Sequence, residues 1–407
     1  MKLNQQTHNM ELISTDKKNA VLKSMARILD EMRGEIIAEN KKDLDAFDPN
    51  DRAMYDRLIV NDAKVDGMIS AVNQVHDMPD PVGKVLADRT LDNGLHIQNK
   101  TAPFGTILII YESRPDVTIE AAVLAFKANS KILLKGGKEA KNSNIILEKA
   151  WHKALEENGL KTDWIRLMTL PREETQAFLR NPSEQLDLIV PRGGERLISF
   201  VKEHAQCPVL VSGRGNNFLY VDKEADWNKT LEVILNAKTD KISACNALDK
   251  ILIDENLPEY KQKVVELNTI LREAGVEVLA DEHVAELDSD SIKVENEDTW
   301  YEEFLAMKSV VATVDSLENA IETINKYSGG HSSTIMTSNN DRAAKFMEQI
   351  DSAAVYQNAS TRFTDGGAMG VGAELAISTD KLHHRGPLGL DQLVTNKYYV
   401  YGDGQVR

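Results

Sequence analysis

The chain is poor in cysteine: only Cys207 and Cys245 occur among 407 residues, far apart and not in a C-x-x-C pair. A disulfide framework is therefore excluded, and a reducing cytoplasm is the expected location. No apolar run approaches the roughly 20 residues that a membrane helix needs, and the first residues contain no apolar signal segment. The nine histidines form no H-x-x-x-H or Cys/His cluster, so we expect no bound metal.

Basic residues are also fewer than acidic residues. Lys and Arg number 48 against 64 Asp and Glu, which gives a net charge of -16. The resulting field repels phosphate backbones and anionic membrane surfaces, so neither nucleic acid nor a membrane is an expected partner. With 42% hydrophobic and 28% charged residues, the composition is that of a soluble globular protein with two or three domains.

The first hundred residues predict helices followed by a hairpin. Apolar residues recur at helical spacing over residues 12–40, and a more polar helical region over residues 51–75 indicates a solvated layer. Asn93-Gly94 predicts a two-residue hairpin turn near residues 88–101. Because hairpin edges are often covered by another subunit, this element hints at oligomerisation.

From Phe104 onward, near-continuous apolar strands alternate with helices, which is the pattern of a parallel sheet covered on both faces. Segments 208–211 and 218–221 close this first series, and a second α/β unit begins near Asp226. Residues 281–298 are predicted to be an acidic, irregular connection. The β-rich tail at residues 396–401 is either a terminal sheet edge or a strand added to a neighbouring subunit.

Two glycine pairs each follow a predicted strand and precede a helix: Lys135-Gly136-Gly137-Lys138 and Pro191-Arg192-Gly193-Gly194. Either alone is interpreted as a plain tight turn, because neither is G-x-G-x-x-G or a Walker loop. Two such turns at the ligand-binding edge of one sheet favour a nucleotide, whose phosphates backbone amides can approach. Paired lysines near the ribose would suit the 2′-phosphate of NADP.

A small-residue turn presents Cys245, and an apolar strand at residues 248–253 follows at once. A thiol on such a rigid loop suits covalent catalysis, although an arbitrary cysteine is more often a small buried hydrophobe. A glycine-rich polar loop at residues 358–372 carries Arg362, which matches a carboxylate or phosphate. The alternative for this loop is a flexible linker.

Several motifs together resemble one family over nearly the whole chain: Ile110-Tyr-Glu-Ser-Arg-Pro115, Leu134-Lys-Gly-Gly-Lys-Glu-Ala140, Val190-Pro-Arg-Gly-Gly194, Cys245-Asn-Ala, Asn358-Ala-Ser-Thr-Arg-Phe-Thr-Asp-Gly366 and Tyr399-Val-Tyr-Gly-Asp-Gly-Gln-Val-Arg407. The sequence looks like the γ-glutamyl phosphate reductases, a branch of the aldehyde dehydrogenase superfamily in proline biosynthesis. The resemblance implies an α/β, aldehyde dehydrogenase-like fold with a Rossmann-like cofactor domain, an α/β catalytic domain and a small β oligomerisation element. We expect an NADPH-binding domain at residues 1–225, a catalytic domain at 226–358, and at 359–407 a substrate loop, a return to the cofactor domain and a C-terminal oligomerisation strand.

The same resemblance implies NADPH-dependent reduction of L-glutamyl 5-phosphate to L-glutamate 5-semialdehyde through a thioester on Cys245. The cofactor-binding residues that it implies are Lys135, Gly136, Gly137, Lys138, Pro191, Gly193, Gly194, Glu303 and Phe304. The substrate-binding residues that it implies are Arg114, Asn358, Ser360, Thr361 and Arg362. It further implies a homodimer or homotetramer, with glutamate 5-kinase as a candidate partner.

Two positions depart from the family pattern. Val211 stands near the position at which aldehyde-oxidising relatives use a Glu to activate water, which speaks against simple aldehyde-to-acid activity. Asp116 replaces an Asn and adds negative charge beside a site for an anionic substrate. Two alternatives therefore stay open: an acylating dehydrogenase acting on another acyl phosphate or acyl-CoA, and a weakly active paralogue that serves as a binding subunit. A cysteine hydrolase is disfavoured, because no Cys–His–Asn arrangement can be assigned.

Overall fold

The computed structural model describes residues 11–407, except for the side chains of Arg52, Ala53 and Glu195. The helices are α1 (Thr15–Glu31), α2 (Arg33–Asp45), α3 (Arg52–Leu58), α4 (Asp62–Asp77), α5 (Val117–Lys127), α6 (Lys141–Glu157), α7 (Arg172–Arg180), α8 (Glu195–His204), α9 (Trp227–Thr239), α10 (Tyr260–Glu273), α11 (Glu282–Leu287), α12 (Asp298–Tyr301), α13 (Leu317–Tyr327) and α14 (Asn340–Gln349). The strands are β1 (Val85–Thr90), β2 (His96–Pro103), β3 (Thr106–Tyr111), β4 (Lys131–Lys135), β5 (Ile165–Leu167), β6 (Leu188–Arg192), β7 (Asn217–Val221), β8 (Leu248–Asp254), β9 (Glu277–Ala280), β10 (Ile292–Lys293), β11 (Lys308–Val314), β12 (Ser332–Met336), β13 (Ala354–Gln357), β14 (Ala376–Ser378), β15 (Gly386–Leu388) and β16 (Val394–Tyr401). Short 3₁₀ turns occupy Lys138–Ala140, Thr162–Trp164, Thr361–Phe363 and Leu390–Gln392.

The chain forms two units. The first comprises the described residues up to Val211 together with Gly370–Ala376 and Leu388–Arg407, and the second comprises Ser212–Met369 and Ile377–Pro387. Within residues 11–407, none of the helices combines the length and the apolar character needed to cross a membrane.

The first unit is built on a parallel four-stranded sheet in the order β5-β4-β3-β6. Alternate residues of β3 face opposite sides, as the period of a strand requires. Ile107 and Ile109 pack in the core that α1, α4, α5 and α6 cover, whereas Leu108 and Ile110 pack against α7 and α8. Because the chain runs from β3 outward to β5 and then returns to place β6 beside β3, the strand order reverses between β3 and β6. Ligands of parallel sheets bind at such reversal points, outside the carboxyl ends of the strands.

A second, antiparallel sheet of the first unit has the order β1-β2-β16. The Asn-Gly signal marks this hairpin correctly, but the connection has five residues (91–95) instead of two. Leu91 N–H closes it on the Leu95 carbonyl at 2.8 Å, and Gly94 has a φ of 86°. The C-terminal tail is therefore an edge strand that pairs within its own chain along the whole length of β2.

The second unit is a parallel seven-stranded sheet in the order β10-β9-β11-β8-β7-β12-β13. One face packs against α9, α10 and α11, and the other against α13 and α14. The central strand β8 is buried at all seven positions, although it contains Asp249 and Lys250. Those two charged residues follow shortly after the turn that carries Cys245, which is described in the next subsection.

The N-terminal helices differ from the sequence prediction. The helix expected over residues 12–40 is two helices, since the φ of -91° and ψ of 4° at Met32 end α1 and begin α2. The region expected to form a solvated layer contains α4, whose Val65, Met68 and Val72 are buried in the core against α1. An apolar stripe on an otherwise polar helix was sufficient to bury it.

The boundary between the units also differs from the sequence prediction, since it follows Val211 and not residue 225. Strand β7, which the sequence assigned to the first series, pairs with β8 and β12 in the second sheet. The expected strand at 208–211 makes only one bridge, between Ile189 and Val209. The acidic segment 281–298 is more regular than expected, because it contains α11, β10 and the start of α12.

Candidate active site

Cys245 lies in a turn between the end of α9 and the start of β8. Ala244 N–H donates to the Lys241 carbonyl at 3.0 Å, and Ala247 N–H donates to the Ala244 carbonyl at 3.0 Å. The Cys245 side chain is half-buried, whereas every residue from Asn246 to Asp254 is buried. The thiol therefore lies just before the amino-terminal end of a rigid, buried strand, as the sequence predicted.

Asn217, at the start of β7, holds the backbone of this turn from one side. Its amide nitrogen donates to the carbonyl oxygens of Cys245 at 2.8 Å, Ala247 at 2.6 Å and Gly215 at 2.8 Å. Its amide oxygen accepts from Ser332 N–H at 3.0 Å. Gly215 has no room for a side chain, since a Cβ there would overlap the Cys245 carbonyl. The Cys245 carbonyl is thus fixed by the Asn217 side chain and by the closely packed backbone of Gly215.

Asn246 holds the same turn from the other side. This buried amide donates to the carbonyls of Arg362 at 3.1 Å and Thr364 at 3.0 Å, while its own backbone carbonyl accepts from the Thr361 hydroxyl at 2.8 Å. The Arg362 guanidinium bonds the Asn246 amide oxygen and also pairs with Asp240, with 3.1 Å between Nε and Oδ2. Two of the predicted substrate residues, Thr361 and Arg362, therefore contact the neighbour of Cys245.

The other two predicted substrate residues of this loop make different contacts. Asn358 has a φ of 53°, and its amide bonds the Thr337 backbone twice, at 2.7 and 2.9 Å. Ser360 is buried and accepts from Arg362 N–H at 3.3 Å, which caps the short 3₁₀ turn. Both side chains shape the loop, and their contacts do not reach the Cys245 turn directly.

The segment Glu302-Glu303-Phe304 belongs to the same unit as Cys245. Phe304 is buried, and its N–H donates to Asp249 Oδ2 at 2.9 Å. A cavity of about 500 Å³ adjoins this segment, lined by Arg214, Asp298, Tyr301 and Glu302. The predicted nicotinamide-ribose ligand Glu303 is half-buried and stands in the chain between Glu302, which lines this cavity, and the buried Phe304.

The two glycine pairs of the first unit lie at one edge of its sheet. Ile110 of β3 stands opposite both Lys135 and Pro191, so the carboxyl ends of β4 and β6 flank the end of β3. Lys135 is half-buried and donates to the Gly136 carbonyl at 3.1 Å; burial lowers its pKa, and the nearby Glu139 carboxylate only partly offsets this. Lys138 is exposed at the same edge.

The second glycine turn has the geometry of an anion site. Gly194 N–H, at the start of α8, donates to the carboxylate of Glu112 at 3.3 Å. A Cβ on Gly193 would approach that carboxylate to 2.7 Å, whereas the space around Gly194 is open. The amide at this helix N-terminus therefore binds an anionic oxygen of the chain itself, and a phosphate would take that place only if the Glu112 carboxylate moved away.

The negative charge that Asp116 adds is paired with two cations. Its carboxylate pairs with Arg114 at 2.9 Å and with Lys64 at 3.3 Å, and it caps α5 through Val117 N–H. Burial opposes its ionisation, but the two cations outweigh burial and hold the pKa of Asp116 below its ordinary value. Burial and the Asp116 charge instead raise the pKa of the neighbouring Glu120.

Sequence analysis missed the asparagines and buried charges that hold the site. Asn217 and Asn246 gave no signal of their own, because their partners lie up to 118 residues away. Lys250 did give one: a charged pair, Asp249-Lys250, inside an otherwise apolar buried strand is unusual. The pattern of residues 248–253 by itself predicts only an apolar strand.

Comparison with known proteins gives concordant results. The model of the "Aldehyde dehydrogenase family" matches residues 294–373. "Gamma-glutamyl phosphate reductase" from Dictyoglomus thermophilum is 38% identical over 408 residues, covering 100% of this chain and 98% of the relative. The crystal structure of γ-glutamyl phosphate reductase from Thermotoga maritima is 41% identical, with a TM-score of 0.93 over 98% of this chain and 96% of that chain. An engineered glycolyl-CoA reductase with bound NADP⁺ is only 15% identical, and its TM-score of 0.67 over 96% of this chain and 92% of that chain shows a shared fold.

Proposed function

The chain belongs to the γ-glutamyl phosphate reductases of the aldehyde dehydrogenase superfamily, and we propose that it reduces L-glutamyl 5-phosphate to L-glutamate 5-semialdehyde and phosphate. This reaction is the glutamyl-phosphate reduction step of proline biosynthesis, in the cytoplasm. The proposal rests on near-complete coverage of relatives that carry this activity in their names. One structural observation carries it further: Cys245 is held in a turn that neighbouring side chains fix on both sides.

We propose Cys245 as the nucleophile. Its thiolate attacks the acyl carbon of the substrate, the C–O bond to phosphate breaks, and phosphate leaves with the electron pair and takes a proton. The thioester that remains accepts a hydride at its carbonyl carbon. The resulting thiohemiacetal collapses by C–S cleavage, which releases the aldehyde and restores the thiolate. Covalent capture divides one difficult reduction into two easier steps.

The role of the surrounding residues is to keep the nucleophile in place. Asn217 and Gly215 fix the Cys245 carbonyl, while Asn246 ties the turn to the loop that carries Arg362. A misplacement of about 1 Å at a reacting atom can cost about 10²-fold in rate. We therefore propose two roles for Arg362 and Thr361: they contact the substrate, and they hold Asn246 in place.

The reductant is a nicotinamide cofactor, which supplies the hydride, and we propose NADPH. Its proposed ligands are Lys135, Gly136, Gly137, Lys138, Pro191, Gly193, Gly194, Glu303 and Phe304. Support comes from Lys135 at the carboxyl end of β4 and from Lys138 three residues later, because two cations at this edge of the sheet suit a 2′-phosphate. The related fold that holds NADP⁺ is consistent with this assignment.

For the substrate we retain Arg114, Asn358, Ser360, Thr361 and Arg362 as proposed contacts. Arg114 is more exposed than Arg362, although it also pairs with Asp116. The lack of a carboxylate at Val211 supports resolution of the thioester by hydride, or by phosphate in reverse, over resolution by water. We further propose a homodimer or homotetramer formed through the β1-β2-β16 sheet, where Tyr398 and Val400 are exposed, and contact with glutamate 5-kinase.

The test is the reverse reaction: phosphate-dependent reduction of NADP⁺ with glutamate 5-semialdehyde, for wild type and Cys245→Ala. We expect activity in the wild type that vanishes without phosphate and in the variant. Activity that requires coenzyme A instead of phosphate would replace the proposed substrate with an acyl-CoA. A wild type inactive with both would leave the paralogue interpretation.

A further inference from the structure

Two consecutive buried asparagines at the start of β7 hold different parts of the site. Asn217 bonds the Cys245 turn, as described above. The amide nitrogen of Asn216 donates to the carbonyls of Trp300 at 2.7 Å and Tyr327 at 2.8 Å. Because the two residues are adjacent in the chain, a single stretch of backbone links the Cys245 turn to the segment that leads into Glu302.

Lys250 completes the connection. It is fully buried on β8, five residues after Cys245, and its ammonium donates to the Asn216 amide oxygen at 2.8 Å and to the Glu302 carbonyl at 2.7 Å. It also lies 3.9 Å from the centre of the Phe304 ring. Two amide oxygens and one aromatic face thus surround its three N–H bonds, an arrangement suited to a cation.

The neighbouring carboxylate has other partners. Asp249 pairs with Lys238 of α9 at 2.9 Å and accepts from Phe304 N–H at 2.9 Å. The backbone on either side of Glu303 is therefore held by β8: Lys250 holds the Glu302 carbonyl, and Asp249 holds the Phe304 amide. The segment that carries the proposed ribose ligand is thus bonded on both sides of Glu303 to the strand that follows the Cys245 turn.

We propose that Lys250 and Asn216 are positioning residues that fix Glu303 for cofactor binding, in register with the Cys245 turn. This inference rests on the proposed function and deepens it. The pair acts on nucleotide affinity, because Lys250 holds the Glu302 carbonyl while Asn216 holds both Lys250 and the Trp300 carbonyl. The reactivity of the thiol depends instead on Asn217 and Asn246.

Lys250 also makes this affinity depend on pH. Burial above all, together with the charge of Lys238, lowers the pKa of Lys250 to about 7, although Asp249, Glu302 and Glu303 act in the opposite direction. As pH rises through 7, the amine keeps two hydrogen bonds but loses its charge-dependent attraction to the aromatic ring. Nucleotide affinity should therefore weaken from pH 6 to pH 8.

The experiment compares Lys250→Met with Lys308→Met. Lys308 is a matched control, since it lies 5.4 Å from the Phe304 ring but pairs with surface Glu277 and does not hold the segment. NADPH binding is followed by the fluorescence of the nucleotide, and thiol reactivity by the rate of Cys245 alkylation with iodoacetamide.

For Lys250→Met we expect at least a tenfold higher Kd for NADPH, with the alkylation rate within twofold of wild type and no change of Kd between pH 6 and pH 8. Asn216→Asp retains an acceptor for Lys250 but loses both amide donors, so an intermediate Kd is expected. If Lys250→Met does not fold, the Kd of Asn216→Asp and the pH dependence of the wild-type Kd still test the positioning role.

Three results would overturn the inference. The first is an unchanged Kd in Lys250→Met or in Asn216→Asp, and the second is a wild-type Kd that does not vary with pH. The third is a parallel loss of affinity and alkylation rate, which would indicate general loosening of the unit. Failure of wild type to bind NADPH at all would remove the proposed cofactor together with the inference, and is thereby distinguished from failure of the inference alone.

Discussion

Replacing Gly215 by Ala tests whether the position of the Cys245 backbone limits the rate. The added Cβ would overlap the Cys245 carbonyl oxygen, so either the turn or the start of β7 must move by about 1 Å. The side-chain amide of Asn217 donates to the carbonyls of both Gly215 and Cys245, so the displacement is transmitted to the turn that carries the thiol. A shift of that size at a nucleophile costs about 10²-fold in kcat. Overpacking of this kind also costs about 1–3 kcal/mol of stability.

The assay is kcat for phosphate-dependent NADP⁺ reduction, with the Cys245 alkylation rate and the Kd for NADPH measured on the same sample. We expect kcat and the alkylation rate to fall while the Kd stays within twofold of wild type. Gly67→Ala is the control, because nothing lies within 4 Å of that helical glycine and Ala stabilises a helix by about 0.5–1 kcal/mol. A folded Gly215→Ala enzyme with kcat within threefold of wild type would refute the argument that this contact places the nucleophile.

Three further changes test separate parts of the molecule. Arg362→Lys keeps the charge but loses the fork that bonds Asn246 and Asp240 together, so a roughly tenfold slower thiol alkylation is expected; an unchanged rate would contradict the bracing role. Asp288 pairs with Arg272. Although burial opposes its ionisation, this pair and other hydrogen bonds lower the pKa of Asp288 to about 2. The contribution of the ionised Asp288 to the free energy of unfolding, about 2 kcal/mol, is therefore present above pH 4 and lost as pH falls to 2. Urea unfolding of Asp288→Asn should show a flatter dependence on pH over that range, and an identical profile would exclude this pair. Lys138→Ser should raise KM for NADPH about tenfold and leave KM for NADH unchanged, and equal effects on the two would count against a 2′-phosphate contact.

Agreement between sequence and structure is best where local pattern decides the outcome. The helix expected at residues 195–204 is α8 with the same bounds, and that at 317–327 is α13 with the same bounds. Ser316 caps α13 through Asn319 N–H, and an apolar stripe buries Leu317, Ala320 and Ile321. Such signals lie within a few residues, so a single chain segment is enough to determine them.

Agreement fails where distant segments compete. Strand β7 reads as the last strand of the first series, yet it pairs with β8 and β12, because strand pairing depends on which edge is available in the folded chain. The break at Met32 was missed for a related reason, since α1 and α2 continue one apolar stripe and only their packing separates them.

By itself the sequence determined the α/β class, the two glycine turns at strand ends and the position of Cys245 before a buried strand, all of which follow from short-range patterns. It did not determine what holds the thiol. Asn217, Asn246 and Lys250 acquire their partners only when strands and loops separated by 28 to 118 residues meet. Only the tertiary structure could decide that Arg362 braces the turn, because hydrogen bonding between remote segments leaves no periodicity in the chain.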